Sequence, residues 1–342
     1  MLRAIAFVLL LALAALPRPA AAQSGGELVV YCSVLNDWCL MMTQGFEKKT
    51  GAKVTMTQKG SGETIAQLRA EAANPKADIF YGGVGDQHLE AAEAGLTVEY
   101  KSPLLAELHP WARKQAEDSK YKTVGIYAGA LGIVWNTEQL AKKNLPEPKC
   151  WADVIRPEFK NEVQMSNPSS SGTAYVALAT LVQVMGEEPA FAYLKKLHAN
   201  INQYTRSGPA PVRNAALGET TVGINFLHDA VAEAATGAKL KIAAPCEGTG
   251  YEIGSMSIVK GGKNPDNARK WYDWALTAEV QNQAKTVKSY QVPSNMKASA
   301  PEAMPRIADM KLIDFDHVKY SATAERKRII ARWEKEVGSL PK

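Results

Sequence analysis

The stretch Gly218–Ser255, GETTVGINFLHDAVAEAATGAKLKIAAPCEGTGYEIGS, decides how the rest of the chain is read. Its residues Thr221–Phe226 (TVGINF) spell a buried strand that stops abruptly at Leu227-His228-Asp229. A helical segment, Ala230–Ala235, and a short strand, Leu240–Ala243, come next. Cys246 and a glycine-rich turn then lead to Glu252. Polar side chains just past the end of an apolar strand project at the rim of a sheet, where open α/β folds hold their ligands. His228, Asp229 and Glu252 meet at that rim if their two strands are neighbours. Singly, Asp229 reads as a helix N-cap and Glu252 as part of a solvated turn. Together, at successive strand ends, they read as a site.

Upstream, Glu27–Ser33 (ELVVYCS), Ala52–Thr57 and Ala77–Tyr81 read as strands, with helical segments at Asn36–Lys49 and Glu63–Ala73 between them. This alternation predicts an α/β fold with a mainly parallel, helix-flanked sheet. In the first helix, Leu40, Met41, Thr43 and Phe46 are expected to share the buried face. Such a sheet puts every strand-to-helix turn on one edge. Ser33, the Gly60-Ser61-Gly62 turn and Gly82-Gly83 are therefore expected to converge, and free N–H groups at helix starts favour an anion. A second candidate lies at Asn167–Thr173 (NPSSSGT), after a strand at Val163–Met165. Ser170, Ser171, Gly172 and Thr173 exceed what one N-cap requires and suit a phosphate. Arg206, in QYTRSG, is a further candidate anion contact.

The N-terminus reads as an export signal: Arg3, an apolar run Ala4–Leu16, then Ala20-Ala21-Ala22 before the expected cleavage. Residues 1–22 are assigned to it, and the mature chain to the periplasm. About 320 residues remain, too many for one comfortable core, so two lobes are expected. The long glycine-containing segment Val124–Asn136 (VGIYAGALGIVWN) suits a chain crossing between them, and Met256–Lys260 a return crossing. The expected division is 26–125 with 258–342 in lobe 1, and 126–257 in lobe 2. Without the two arginines of 1–22 the balance is 38 basic to 35 acidic residues, which does not suggest a nucleic-acid binder. Four cysteines, Cys32, Cys39, Cys150 and Cys246, read as two disulfides in an oxidising compartment. Of three possible pairings, Cys32–Cys39 closes a turn between strand and helix and is the easy one. Cys150–Cys246 is then left as a long-range staple. No CxxC pair points to a metal site.

VVYCSV, KGSGET, ADIFYGG, PKCW, SGTAY, QYTRSG, NFLHD and PCEGTGYE, spread over nearly the whole mature chain, resemble the ferric-binding-like type II periplasmic binding proteins of ABC importers. The likeness is strongest to the hexose-phosphate-binding members. It implies a two-lobed clamshell with a hinge crossed twice, which hands a phosphorylated sugar to an inner-membrane permease. It implies that Ser33, Ser61-Gly62 and Ser170–Thr173 hold the phosphate, and that His228, Asp229 and Glu252 take the sugar hydroxyls. No cofactor, metal or enzymatic activity is implied, and a monomer is expected. Two departures stand out: Arg206 where a lysine is usual, and a longer serine run. Iron-binding relatives carry adjacent tyrosines where this chain reads Phe226-Leu227-His228-Asp229, and no Tyr-Tyr pair occurs. An aminoethylphosphonate ligand is the nearer alternative, because an amine also suits Asp229 and Glu252. A hydrolase using His228, Asp229 and a serine is the alternative of another class; no GxSxG, P-loop or HExxH motif supports it.

Overall fold

The structure, a computed structural model, describes residues 25–304 and 309–341; the expected signal peptide, 1–22, lies outside them. The chain opens with β1 (Glu27–Cys32), α1 (Asn36–Thr50), β2 (Lys53–Gln58), α2 (Ser61–Ala70), β3 (Ile79–Val84) and α3 (Gly85–Glu93). Helix α4 (Pro110–Asp118) leads into β4 (Val124–Asn136). Next come α5 (Thr137–Lys142), β5 (Val163–Ser166), α6 (Gly172–Met185), α7 (Glu187–Asn200) and β6 (Ile201–Thr205). Helix α8 (Ala210–Leu217) precedes β7 (Val222–Phe226), α9 (Leu227–Ala234) and β8 (Leu240–Ala243). Strand β9 (Tyr251–Ile258) is followed by α10 (Pro265–Ala275), α11 (Ala278–Gln281), β10 (Val292–Pro293), α12 (His317–Ser321) and α13 (Thr323–Trp333).

The strands line up in the order β2-β1-β3-β9-β4-β7-β5-β6. The expected parallel pairing holds on the flanks, among β2, β1 and β3 and among β6, β5 and β7. The middle is antiparallel, because β4 runs out and β9 runs back. Strand β4 is buried at all 13 positions. Val124–Ala130 pairs with β9, and Leu131–Trp135 pairs with β7. One strand thus accounts for the crossing segment.

Two large cores flank this strand. The first gathers Leu28, Phe46, Met256 and Trp271; the second gathers Trp151, Tyr175, Phe191 and Trp333. Val84, at the end of β3, packs into the second. The last helices depart from the expected grouping of 258–342 with the first lobe: Phe315, Tyr320, Ile329, Trp333 and Val337 join the second core. The cause is the amphipathic α13, whose apolar face meets α6 and α7. Arg328 and Arg332 beside it pair with Glu187 and Glu188 at the start of α7. Helix α1 also differs from expectation, burying Trp38, Cys39, Met42 and Phe46 and leaving Leu40 exposed. The Cys32–Cys39 bridge fixes that rotation by holding Cys39 inward. Both expected disulfides form, Cys32–Cys39 and Cys150–Cys246, and no cysteine is free. Among the described residues, no helix is long and apolar enough to cross a membrane.

Candidate functional site

Strand β7 passes directly into α9, with Phe226 in the N-cap position and no side-chain cap bond. Asp229 therefore sits in the first turn and is not the cap. Strands β7 and β9 are not neighbours, since β4 lies between them. The trio still meets, because His228 reaches over Gly129 of β4, the register partner of Glu252. A Cβ on Gly129 would lie 2.3 Å from His228 Nδ1, so only glycine leaves the imidazole this path. His228 Nε2 stands 3.6 Å from Asp229 Oδ1 and 3.6 Å from Glu252 Oε1, with its ring stacked on Phe226.

Burial governs the charge state here, since removing a charge from water favours its neutral form. It lowers the His228 imidazolium to about 3. It raises Asp229 to about 7, with Arg213 opposing only in part. Glu252 is held well above the usual carboxylate range by burial, then by the charges of Asp229 and Asp86. A near-neutral cluster of two carboxyl groups and an imidazole can donate to and accept from hydroxyl groups in several geometries. An anionic group placed there would lack any cation to pair with, and would be repelled once either acid ionises.

The first set of rim turns converges as expected. Gly83, at φ +82°, adopts a backbone that side-chain-bearing residues avoid. A Cβ there would meet Ser61 Oγ at 2.2 Å and Ser33 Cβ at 2.9 Å. Ser33 Oγ hydrogen-bonds Thr64 Oγ1 at 3.1 Å, and Ser61 opens α2 behind an extended Gly60. Beside Gly62 the space is open. In the second set, Ser171 caps α6 by accepting from the Ala174 N–H at 3.4 Å. Thr173 packs against Gly208. Ser170 is exposed and its hydroxyl faces the Asn167 and Arg206 carbonyls, so it serves the loop. The Arg206 side chain is exposed. The two sets meet at one point, where a Cβ on Gly172 would lie 3.0 Å from Val84 Cγ2, one residue beyond Gly83.

Tyr127, two residues before Gly129 on β4, was not foreseen. Its hydroxyl accepts from the Gly83 N–H at 3.1 Å, and its ring lies over Gly254. Burial, then the Glu252 carboxylate, pushes its phenol well up, so it stays protonated. A lone hydroxyl within the buried strand VGIYAGALGIVWN was the available signal.

Residues 74–320 match the model of a family described as bacterial extracellular solute-binding protein. The chain belongs to that family. As a solute-binding protein of an ABC importer, it takes a small molecule in the periplasm for an inner-membrane permease. It is similar to AfuA from Actinobacillus pleuropneumoniae, solved with exogenous fructose-6-phosphate bound: 44% identity over 92% of this chain and 99% of that one, TM-score 0.89. It is similar to the periplasmic binding protein P5PA, at 38% identity over 91% and 99%, TM-score 0.87. An uncharacterized protein of Haemophilus influenzae is 46% identical over 92% of each chain. A putative 2-aminoethylphosphonate-binding periplasmic protein of Salmonella typhimurium is 26% identical over 88% of each. Iron-bound HitA from Pseudomonas aeruginosa, 20% identical over 91% and 99% with TM-score 0.77, shares the fold. In this solute-binding protein the two chemically opposite ends thus lie on a scaffold common to the family.

Proposed function

We propose that this protein captures a sugar phosphate, a hexose phosphate in the first instance, and delivers it without turnover. The observation that carries the reading is the presence of two chemically opposite ends on either side of β4. One end is the acid–imidazole cluster of His228, Asp229 and Glu252. The other is an uncharged rim of Ser33, Ser61, Gly62, Gly83 and the start of α6. Hydroxyls suit the first, and a phosphate suits N–H and O–H donors at the second. The two cores act as lobes hinged on β4 and β9. The AfuA complex supports a phosphorylated sugar. Titration calorimetry on ligand-stripped protein is expected to rank hexose phosphates above free hexoses, phosphonates and Fe(III). Uptake of Fe(III) without any sugar phosphate overturns the reading.

An amine-bearing phosphonate is the second reading. Its support is that Asp229 and Glu252 have only His228 as an ion-pair partner among the described residues, and form none with Lys or Arg. Iron is disfavoured, because a hard cation prefers several anionic oxygens and burial here favours neutral groups.

Asp229→Asn separates binding from stability. Losing a two-oxygen acceptor is expected to cost about 1.5–3 kcal/mol of hexose-phosphate binding, typical of a hydrogen bond to a charged group. Affinity for inorganic phosphate should hardly change. In the ligand-free protein the sign reverses. A carboxyl raised from 3.8 to about 7 gives stability that is full below its unfolded value and lost as pH rises through about 7. The variant lacks that loss, so it should melt above wild type near pH 8, with the gap closing towards pH 4. His228, lowered to about 3, acts oppositely on acidification but is common to both proteins. Thermal melts across this range check the sign.

A further inference from the structure

We propose that Arg326 supplies the positive charge at the anion end of the cleft and contacts the ligand's phosphate; this rests on the sugar-phosphate reading. Arg326 belongs to α13, more than 150 residues in sequence from Ser33, Ser61, Gly83 and the Ser170–Thr173 turn. The fold nevertheless brings it to the junction of the two rim sets. In the amide orientation that satisfies both neighbours, Gln87 donates to the Val84 carbonyl at 3.0 Å and accepts from Arg326 Nη1 at 3.2 Å. The same amide lies 3.6 Å from where a Gly172 Cβ would be, and Val84 adjoins Gly83 with its two serines. Arg326 therefore stands one side chain away from both halves of the rim.

Its surroundings distinguish it from the other arginines of its helix. Arg328 is held by Glu187 and Glu325, and Arg332 by Glu187, Glu188 and Glu336. Arg326 has no carboxylate partner among the described residues. Its guanidinium instead lies 4.1 Å from the centre of the Tyr175 ring, whose hydroxyl is tied to the Tyr320 carbonyl at 2.5 Å. A face stacked on an aromatic ring leaves the N–H edge of the fork available, and one of its five donors is used by Gln87. A planar fork of this kind matches two phosphate oxygens at once. The chemistry calls for it. Asp86 and Glu252 are buried and Asp229 is half-buried beside them, and a phosphate dianion on neutral donors alone would have no counter-charge.

The position has a second consequence. Arg326 comes from a helix of the second core, whereas Ser33 and Ser61 follow β1 and β2 on the first flank of the sheet. Contact with a phosphate held by Ser33 and Ser61 thus spans the two halves and helps hold them closed.

The test is calorimetric titration of fructose-6-phosphate and of inorganic phosphate into wild type, Arg326→Gln and Arg326→Lys. Arg326→Gln is expected to weaken both by roughly 10- to 100-fold, as for loss of a charge-assisted hydrogen bond. It should also flatten the salt dependence, with a melting temperature close to wild type. Arg326→Lys should restore part of the affinity, because the charge remains while the fork is lost. Unchanged affinity in Arg326→Gln overturns this inference alone, as does loss of binding that Lys does not restore at all. A wild-type protein that takes neither probe overturns the sugar-phosphate reading, and this inference with it.

Discussion

Gly129→Ala is expected to cost about 3–5 kcal/mol of hexose-phosphate binding, the sum of an overpacked contact and a lost polar interaction. The added methyl would stand 2.3 Å from His228 Nδ1 and 2.6 Å from its Cε1, a separation that atoms do not tolerate. Backbone on β4 cannot yield, because Gly129 is paired with Glu252 in the middle of a fully buried strand. The imidazole must swing away, and in doing so it leaves the position 3.6 Å from each carboxyl group that it holds in the wild type. Restoring the ring on binding reintroduces the clash. Calorimetry with fructose-6-phosphate reads the loss, and inorganic phosphate, which needs only the other end, should bind Gly129→Ala about as well as wild type. Equal loss for both ligands would mean that the two ends are not separate.

The largest effect on stability is expected from Cys150→Ser with Cys246→Ser. The bridge closes a loop of 96 residues, for which chain entropy alone gives about 4–5 kcal/mol. The Cys32–Cys39 bridge spans only 7 residues and should be worth about half of that. Local contacts reinforce the long bridge: Glu247, next to Cys246, accepts from the Trp151 and Ala152 N–H groups, and the Trp151 indole donates to the Gly248 carbonyl. This places the start of the β9 approach, and so Glu252, against the second core. Urea unfolding of the double variant measures it, and a loss under about 1 kcal/mol would contradict the loop-entropy account.

The secondary structure around the acid cluster was legible in the sequence. An apolar run broken by Leu227-His228-Asp229 marks a strand end, and the strand at Leu240–Ala243 is found where its pattern put it. The convergence of Ser33, Ser61 and Gly83 was legible for the same reason: a parallel flank forces its turns to one edge. What the pattern could not carry was contact between distant segments. Arg326 and Gln87 lie on ordinary amphipathic helices, and nothing local sets them apart from Arg328 or Gln115. Ser170 resembled a ligand donor by residue type, but its hydroxyl serves the Asn167 and Arg206 carbonyls. The rotation of α1 was misjudged because periodicity ranks Leu40 above Cys39, whereas a covalent bridge outweighs that preference. The grouping of the last helices failed for a similar reason, since a charged helix reads as peripheral until the partners of its arginines are known.

The way each core draws on segments remote in sequence bears on how the molecule assembles. The first core, built on Leu28 and Phe46, lacks its filling until Met256 and Trp271 arrive, and the second, around Tyr175, until Trp333 and Val337 do. No N-terminal portion carries a finished interior of its own. Contacts so remote in sequence make the search for the native state slow, because long loops must close before any of them is rewarded. A nascent chain of this design stays incomplete until its final turns are present, a state in which it remains threadable through a narrow channel.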